Sequence, residues 1–65
     1  MRTTLRDCIR LGRYHSGRAR AYLRLARVTA RAGGERYLVL ADMAQVVSSR
    51  RLARDYARKA ARLAP

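Results

Sequence analysis

Two stretches of this chain repeat apolar positions with the alternating four–three spacing of a heptad seam. In the second half the seam reads Val39, Met43, Val46, Arg50, Ala53, Ala57, Ala60 and Ala64, with Arg50 as its single polar member. In the first half it reads Leu11, Tyr14, Arg18, Ala21, Leu25, Val28 and Ala32, again with one polar member, Arg18. Spacing of this kind predicts a helix in each half, with one stripe turned toward a partner. Gly33 and Gly34 stand between the halves as the tandem glycine pair, and the single proline is Pro65. Thr4 followed by Asp7 reads as an N-cap with a weak capping box, Gly33 as a C-terminal stop, and Glu35 as the opening of the second arm. The fold expected is all-α: one domain over 1–65, an antiparallel two-helix hairpin with arms of about 4–32 and 35–64 and a hinge at 33–34. Each arm would be a rod of about 42–44 Å.

In such a hairpin, facing residues have numbers that add to about 67 or 68. Leu25 then faces Met43, Val28 faces Val39, Ala21 faces Val46, Leu11 faces Ala57, and Arg18 faces Arg50. Much apolar surface is left over, including Leu5, Ile9, Tyr22 and Leu23 on one arm and Leu38, Leu40, Val47, Leu52, Tyr56 and Leu63 on the other. Exposed area on that scale predicts completion by self-association into a four-helix bundle or by docking on a larger complex. Composition strengthens that expectation. The chain has 65 residues with no Phe or Trp, and twelve of its apolar residues are Ala, so two helices alone bury a small core.

Charge narrows the class of partner. Sixteen Lys+Arg against four Asp+Glu give a formal net charge of +12, and fifteen of the sixteen cations are Arg. A field of that sign attracts a polyanion, and guanidinium groups favour bidentate contacts to phosphate or carboxylate. Arg6, Arg10, Arg13, Arg20, Arg24, Arg27 and Arg31 form a ridge along the back of the first arm. Arg51, Arg54, Arg58, Lys59 and Arg62 crowd the end of the second. Both sets are candidate phosphate contacts of a kind that does not read base sequence. Tyr14, Tyr22, Tyr37 and Tyr56 are available to stack on bases or to pack between helices. Arg18 and Arg50, facing each other across the seam, form a candidate inward anion clamp. His15 and Tyr22 lie one turn to either side of Arg18.

The expected function is therefore a small, non-catalytic helical protein that binds nucleic acid, RNA within a ribonucleoprotein in preference to DNA. The alternative is an accessory subunit that docks on an acidic protein complex, as a homodimer or as part of a larger assembly. Paired carboxylates, a Ser-His-Asp set and a glycine-rich phosphate loop are all missing, so no catalytic residue is assigned. Cys8 and His15 are about 10 Å apart along a helix axis, too far for a nucleophile and its base. One His, one Cys and four scattered acids form no metal site, and no cofactor is expected. The single cysteine allows no internal disulfide and fits a reducing compartment, the cytoplasm. The Arg-rich, acid-poor residues 1–32 also have the composition of a mitochondrial transit segment, which makes the matrix a second compartment to consider. The longest apolar run, 37–41, is too short to span a membrane.

One further pattern bears on residues 43–57. With Ser48 placed at a turn, Met43, Ala44, Val47 and Ala57 fall on apolar or small positions, and the stretch partly resembles the helix-turn-helix DNA-binding family. The resemblance implies a turn at Ser48 and a base-reading helix beyond it. Ser49 and Arg54 stand where that family has apolar residues, and Ser48 stands in place of its glycine. The seam runs through Val46, Arg50 and Ala53 without a break, which favours one long helix instead.

Overall fold

The computed structural model describes residues 3–65. It contains two helices, α1 from Leu5–Arg31 and α2 from Arg36–Leu63, folded back on each other as a hairpin 49 × 18 × 14 Å in extent. The expected arms coincide with these helices once their capping residues are included.

Local chemistry accounts for both ends of α1. The Thr4 hydroxyl accepts from the Asp7 N–H at 3.2 Å, and the Asp7 carboxylate accepts from the Thr4 N–H at 3.3 Å, a complete capping box. The Thr4 N–H, then the Thr4 hydroxyl and the nearby Arg10 and Arg6, hold the Asp7 carboxyl below the usual carboxylate range. A carboxyl with a depressed folded-state pKa stabilises the fold above its unfolded value, and that contribution disappears as pH falls through the folded value. The first turn of α1 should therefore loosen as pH drops below about 4, read as shifts of the Asp7 and Cys8 amide resonances.

At the other end, Gly33 takes φ 73°, the left-handed conformation that closes a helix. The Gly34 N–H donates to the Thr29 carbonyl at 2.9 Å and the Gly33 N–H to the Ala30 carbonyl at 3.2 Å. Together these bonds make a Schellman cap, and Gly34 approaches Thr29 so closely that an added Cβ would lie 2.5 Å from its Cγ2. Gly17 differs, because an added Cβ meets nothing within 4 Å. Gly17→Ala should therefore raise stability by about 1 kcal/mol, and Gly33→Ala should lower it by about as much. Gly34→Ala should lower it too. Thermal melts of the three variants check the order.

Both helices run unbroken, and α2 passes through Ser48 and Ser49 without a turn. A helix-turn-helix at this point lacks its turn.

The seam itself departs from the sequence expectation. In α1 the stripe against α2 runs through Cys8, Gly12, His15, Ala19, Tyr22, Ala26 and Thr29, all buried or half-buried, one residue later than the stripe of Leu11, Tyr14, Arg18, Ala21, Leu25 and Val28, of which only Leu11 and Arg18 stay half-buried. Tyr14, Leu25 and Val28 are exposed, Leu25 to 48% against 3% for Ala26. In α2, Val39, Val46, Ala53 and Ala60 keep their seam places, while the alternate places pass from Arg50 to Ser49 and from Ala57 to Tyr56. The facing rule survives the shift. Gly12 lies against Tyr56, whose Cβ is 3.6 Å from a Cβ built on the glycine, and their numbers add to 68.

Energetics explain the rotation. With the large stripe inward, Arg18 and Arg50 would meet in the interface, and taking two unpaired cations out of water costs several kcal/mol each. Fully burying one leucine returns only about 2 kcal/mol. Turning α1 by one residue substitutes Ala19 for Arg18, and the shift of the alternate places in α2 substitutes Ser49 for Arg50. The rotation of α1 also lines the contact with Cys8, Gly12, Ala19 and Ala26, small groups that let the helix backbones approach. The close contact provides a direct test. A Cβ separation of 3.6 Å is within disulfide range. Gly12→Cys with Tyr56→Cys, in a Cys8→Ala background, should oxidise within one chain, seen by mass spectrometry as loss of two hydrogens.

Candidate nucleic-acid interface

Rotation of α1 onto its small-residue stripe settles where the charges go. Arg6, Arg10, Arg13, Arg20, Arg24, Arg27 and Arg31 are all exposed, and Arg13 and Arg20 border the groove between the helices. Arg51, Arg54, Arg58, Lys59 and Arg62 are likewise exposed over the second half of α2. The described residues contain one ion pair, Arg10 to Asp7 at 3.4 Å, and the arginine side chain in it is 76% exposed. Such a pair holds little energy, so the remaining cations stand without a carboxylate partner.

Arg18 and Arg50 do not form the inward clamp expected of them. Arg18 is half-buried on one flank of α1, where its guanidinium donates to the Tyr14 and Tyr22 hydroxyls, each at 3.4 Å. Its Cζ also lies 5.9 Å and 5.5 Å from the two ring centroids, a cation–π arrangement from both sides. The Tyr14 hydroxyl is the main influence holding Arg18 still more firmly in its charged form. Arg50 is exposed on the far side of the seam, in a groove shared with Ser16, Ala19, Arg20, Ala53 and Arg54. At 3.6 residues per turn, positions 16 and 20 lie on the flank of α1 opposite positions 14 and 18. The neighbour of Arg50 across the seam is therefore Arg20.

His15 serves packing. Its ring stacks on Tyr56 with centroids 5.7 Å apart and planes 4° from parallel, and it meets the edge of Tyr14 at 5.2 Å. Its Nδ1 is buried with no hydrogen-bond partner among the described residues. Cys8 is a free, fully buried thiol in the helix contact. Of the four tyrosines, Tyr22 and Tyr56 are half-buried at the contact, while Tyr14 and Tyr37 are exposed.

The two faces of the hairpin differ in chemistry. One groove between the helices combines Gly12, Arg13, Ser16 and Arg20 of α1 with Arg50, Ala53, Arg54 and Ala57 of α2. The opposite flanks, carrying Tyr14 and Leu25 of α1 and Leu38, Leu52 and Leu63 of α2, make the other face, where those five side chains are exposed. Sequence reasoning named all four of these arginines, Arg50 as a partner of Arg18, but did not bring Arg20, Arg50 and Arg54 together. The usable signal was the stripe of small residues, Gly12, Ser16 and Ala19 in one arm and Ala53, Ala57 and Ala60 in the other. Among the described residues no group of three or more His, Cys, Asp or Glu side chains converges to hold a metal ion, and no helix is long and apolar enough to cross a membrane. No protein-family model, curated protein or solved structure matches this chain.

Proposed function

We propose that this hairpin binds nucleic acid through phosphate contacts that do not read base sequence, as an RNA-binding component of a ribonucleoprotein. The observation that carries the reading is the uncompensated cation array: exposed arginines along α1 and the end of α2, with one weak ion pair among the described residues. Arginine-rich, unpaired surfaces of this kind release counterions on meeting a phosphate backbone, which is where non-specific affinity originates. RNA is preferred over a specific DNA site because α2 is continuous through Ser48 and Ser49, leaving no turn from which a separate recognition helix could enter a groove. The test is direct titration of unstructured RNA and of duplex DNA at low salt. Binding in the micromolar range or tighter supports the reading, and absence of binding to both overturns it.

A second reading has its own observation. Tyr37, Leu38, Leu40, Val47, Leu52 and Leu63 of α2 are exposed, as are Ile9, Leu25 and Val28 of α1. Surface of that extent favours association with a second copy, giving a four-helix bundle, or docking as an accessory subunit on an acidic protein complex. Light scattering separates these cases, since self-association doubles the mass of the isolated chain. Leu25, Leu38, Leu52 and Leu63 lie on the face opposite the arginine groove, so a dimer closed through them leaves the groove open, whereas Ile9 and Val47 stand beside its arginines.

A further inference from the structure

We infer that the groove on the face away from Tyr14 and Arg18 is the seat of a nucleic-acid strand, with Arg13 and Arg20 gripping its phosphates from α1 and Arg50 and Arg54 from α2. This inference rests on the nucleic-acid reading and adds to it a place and a geometry.

The groove is made of two adjoining cavities of about 410 and 360 Å³ that share Ser16, Arg20 and Ala53. Gly12, Ser16, Ala19, Ala53 and Ala57 make a floor of small residues, Ile9 is the one large apolar side chain in the lining, and the half-buried Ser16 hydroxyl is the polar group at its base. Its walls carry cations from both helices. Among the described residues no carboxylate lies within ion-pair distance of any of the four arginines; Asp55 lines the neighbouring cavity with Val47, Arg50, Arg51, Arg54 and Arg58. Like charges facing each other across a narrow groove repel, and an anion between them converts that repulsion into attraction on both walls. Guanidinium groups suit the task because each can hold a phosphate with two parallel hydrogen bonds.

Spacing decides between a lone phosphate and a strand. Arg13 and Arg20 are two turns apart, about 10 Å along the axis, too far to close on one phosphate. Arg50 and Arg54 are one turn apart on the other wall, about 6 Å. A row of cations on both sides of an open channel matches a linear polyanion. The outer ridge offers no such enclosure: Arg24, Arg27 and Arg31 line a hollow with Arg20, Leu23 and Val28, all on α1. On the opposite face Arg18 is already held by two tyrosine hydroxyls.

The experiment compares variants that remove equal charge from different places. Arg20→Gln with Arg54→Gln empties the groove walls, whereas Arg24→Gln with Arg27→Gln thins the ridge. All four residues are exposed, and circular dichroism verifies the fold of each variant. Binding of a single-stranded RNA of about twenty nucleotides should weaken by a further factor of about ten or more in the groove variant than in the ridge variant. Ser16→Leu, which fills the floor and leaves the charge unchanged, should also weaken binding by about tenfold. Equal losses in the two double variants, with Ser16→Leu neutral, would overturn the groove while leaving the nucleic-acid reading intact. Failure of the unaltered protein to bind RNA or DNA at low salt would overturn that reading and the groove with it. A mononucleotide that competes as well per phosphate as the strand would reduce the groove to a single-anion site and overturn its role as a strand seat.

Discussion

Affinity for single-stranded RNA should fall about 300-fold when salt is raised from 50 to 200 mM, with a log–log slope near −4. The figure follows from about six phosphates contacted, at about 0.7 counterions released per contact on a single strand. Six is a conservative count for this surface. The ridge along α1 and the basic end of α2 together expose twelve cations, and Arg50 adds another. They point in several directions around the two helices, so one strand cannot meet them all. Duplex DNA, with denser charge, should show a steeper slope for the same number of contacts, about −5. A slope shallower than −1 would mean that one phosphate at most is engaged, and the arginine array would then need another explanation. Steep slopes for both, with equal affinity for RNA and duplex DNA, would support contacts to the backbone and count against the RNA preference.

The second large effect concerns the seam, and it sets neighbouring residues against each other. Ala26→Asp should unfold the hairpin, whereas Leu25→Asp should leave the isolated hairpin within about 0.5 kcal/mol of the parent. Ala26 is 3% exposed in the helix contact, so a carboxylate there loses its water without a partner. The cost is several kcal/mol, against a total stability of only about 3–10 kcal/mol for a domain this small. Leu25 is 48% exposed on the apolar face, and an aspartate in its place stays in water. Helical signal in a thermal melt reads the outcome. If Leu25→Asp melts the chain and Ala26→Asp does not, the large stripe is the true seam and α1 is turned the other way. If Leu25→Asp keeps its helical content but alters the mass in solution, the apolar face is an interface between copies.

These two residues also show what could be read in advance. Helix ends were legible because they depend on local chemistry: Thr4 with Asp7 to start α1, Gly33 and Gly34 to stop it, and no breaker between Glu35 and Leu63. Register was legible too, since a two-residue turn leaves little freedom in which numbers face each other, and Gly12 opposite Tyr56 obeys the rule. The rotation of α1 about its own axis was not. Two stripes of heptad spacing run along that helix one residue apart: a large one through Leu11, Tyr14, Leu25 and Val28, and a small one through Cys8, Gly12, Ala19 and Ala26. Periodicity does not rank them, and side-chain size ranks them wrongly.

By itself, then, the chain determined two helices, their limits, their antiparallel pairing and a surplus of unpaired arginine, because capping, helix propensity and net charge are properties of neighbours in sequence. Only the tertiary structure decided which stripe of α1 is buried, and with it that Arg18 lies between two tyrosines while Arg50 shares a groove with Arg20. The physical reason is that burial weighs groups distant in sequence against one another. Close approach of two backbones over small residues, with Arg50 left in water and Arg18 held by two tyrosine hydroxyls, outweighs the larger apolar area that the other stripe would have covered.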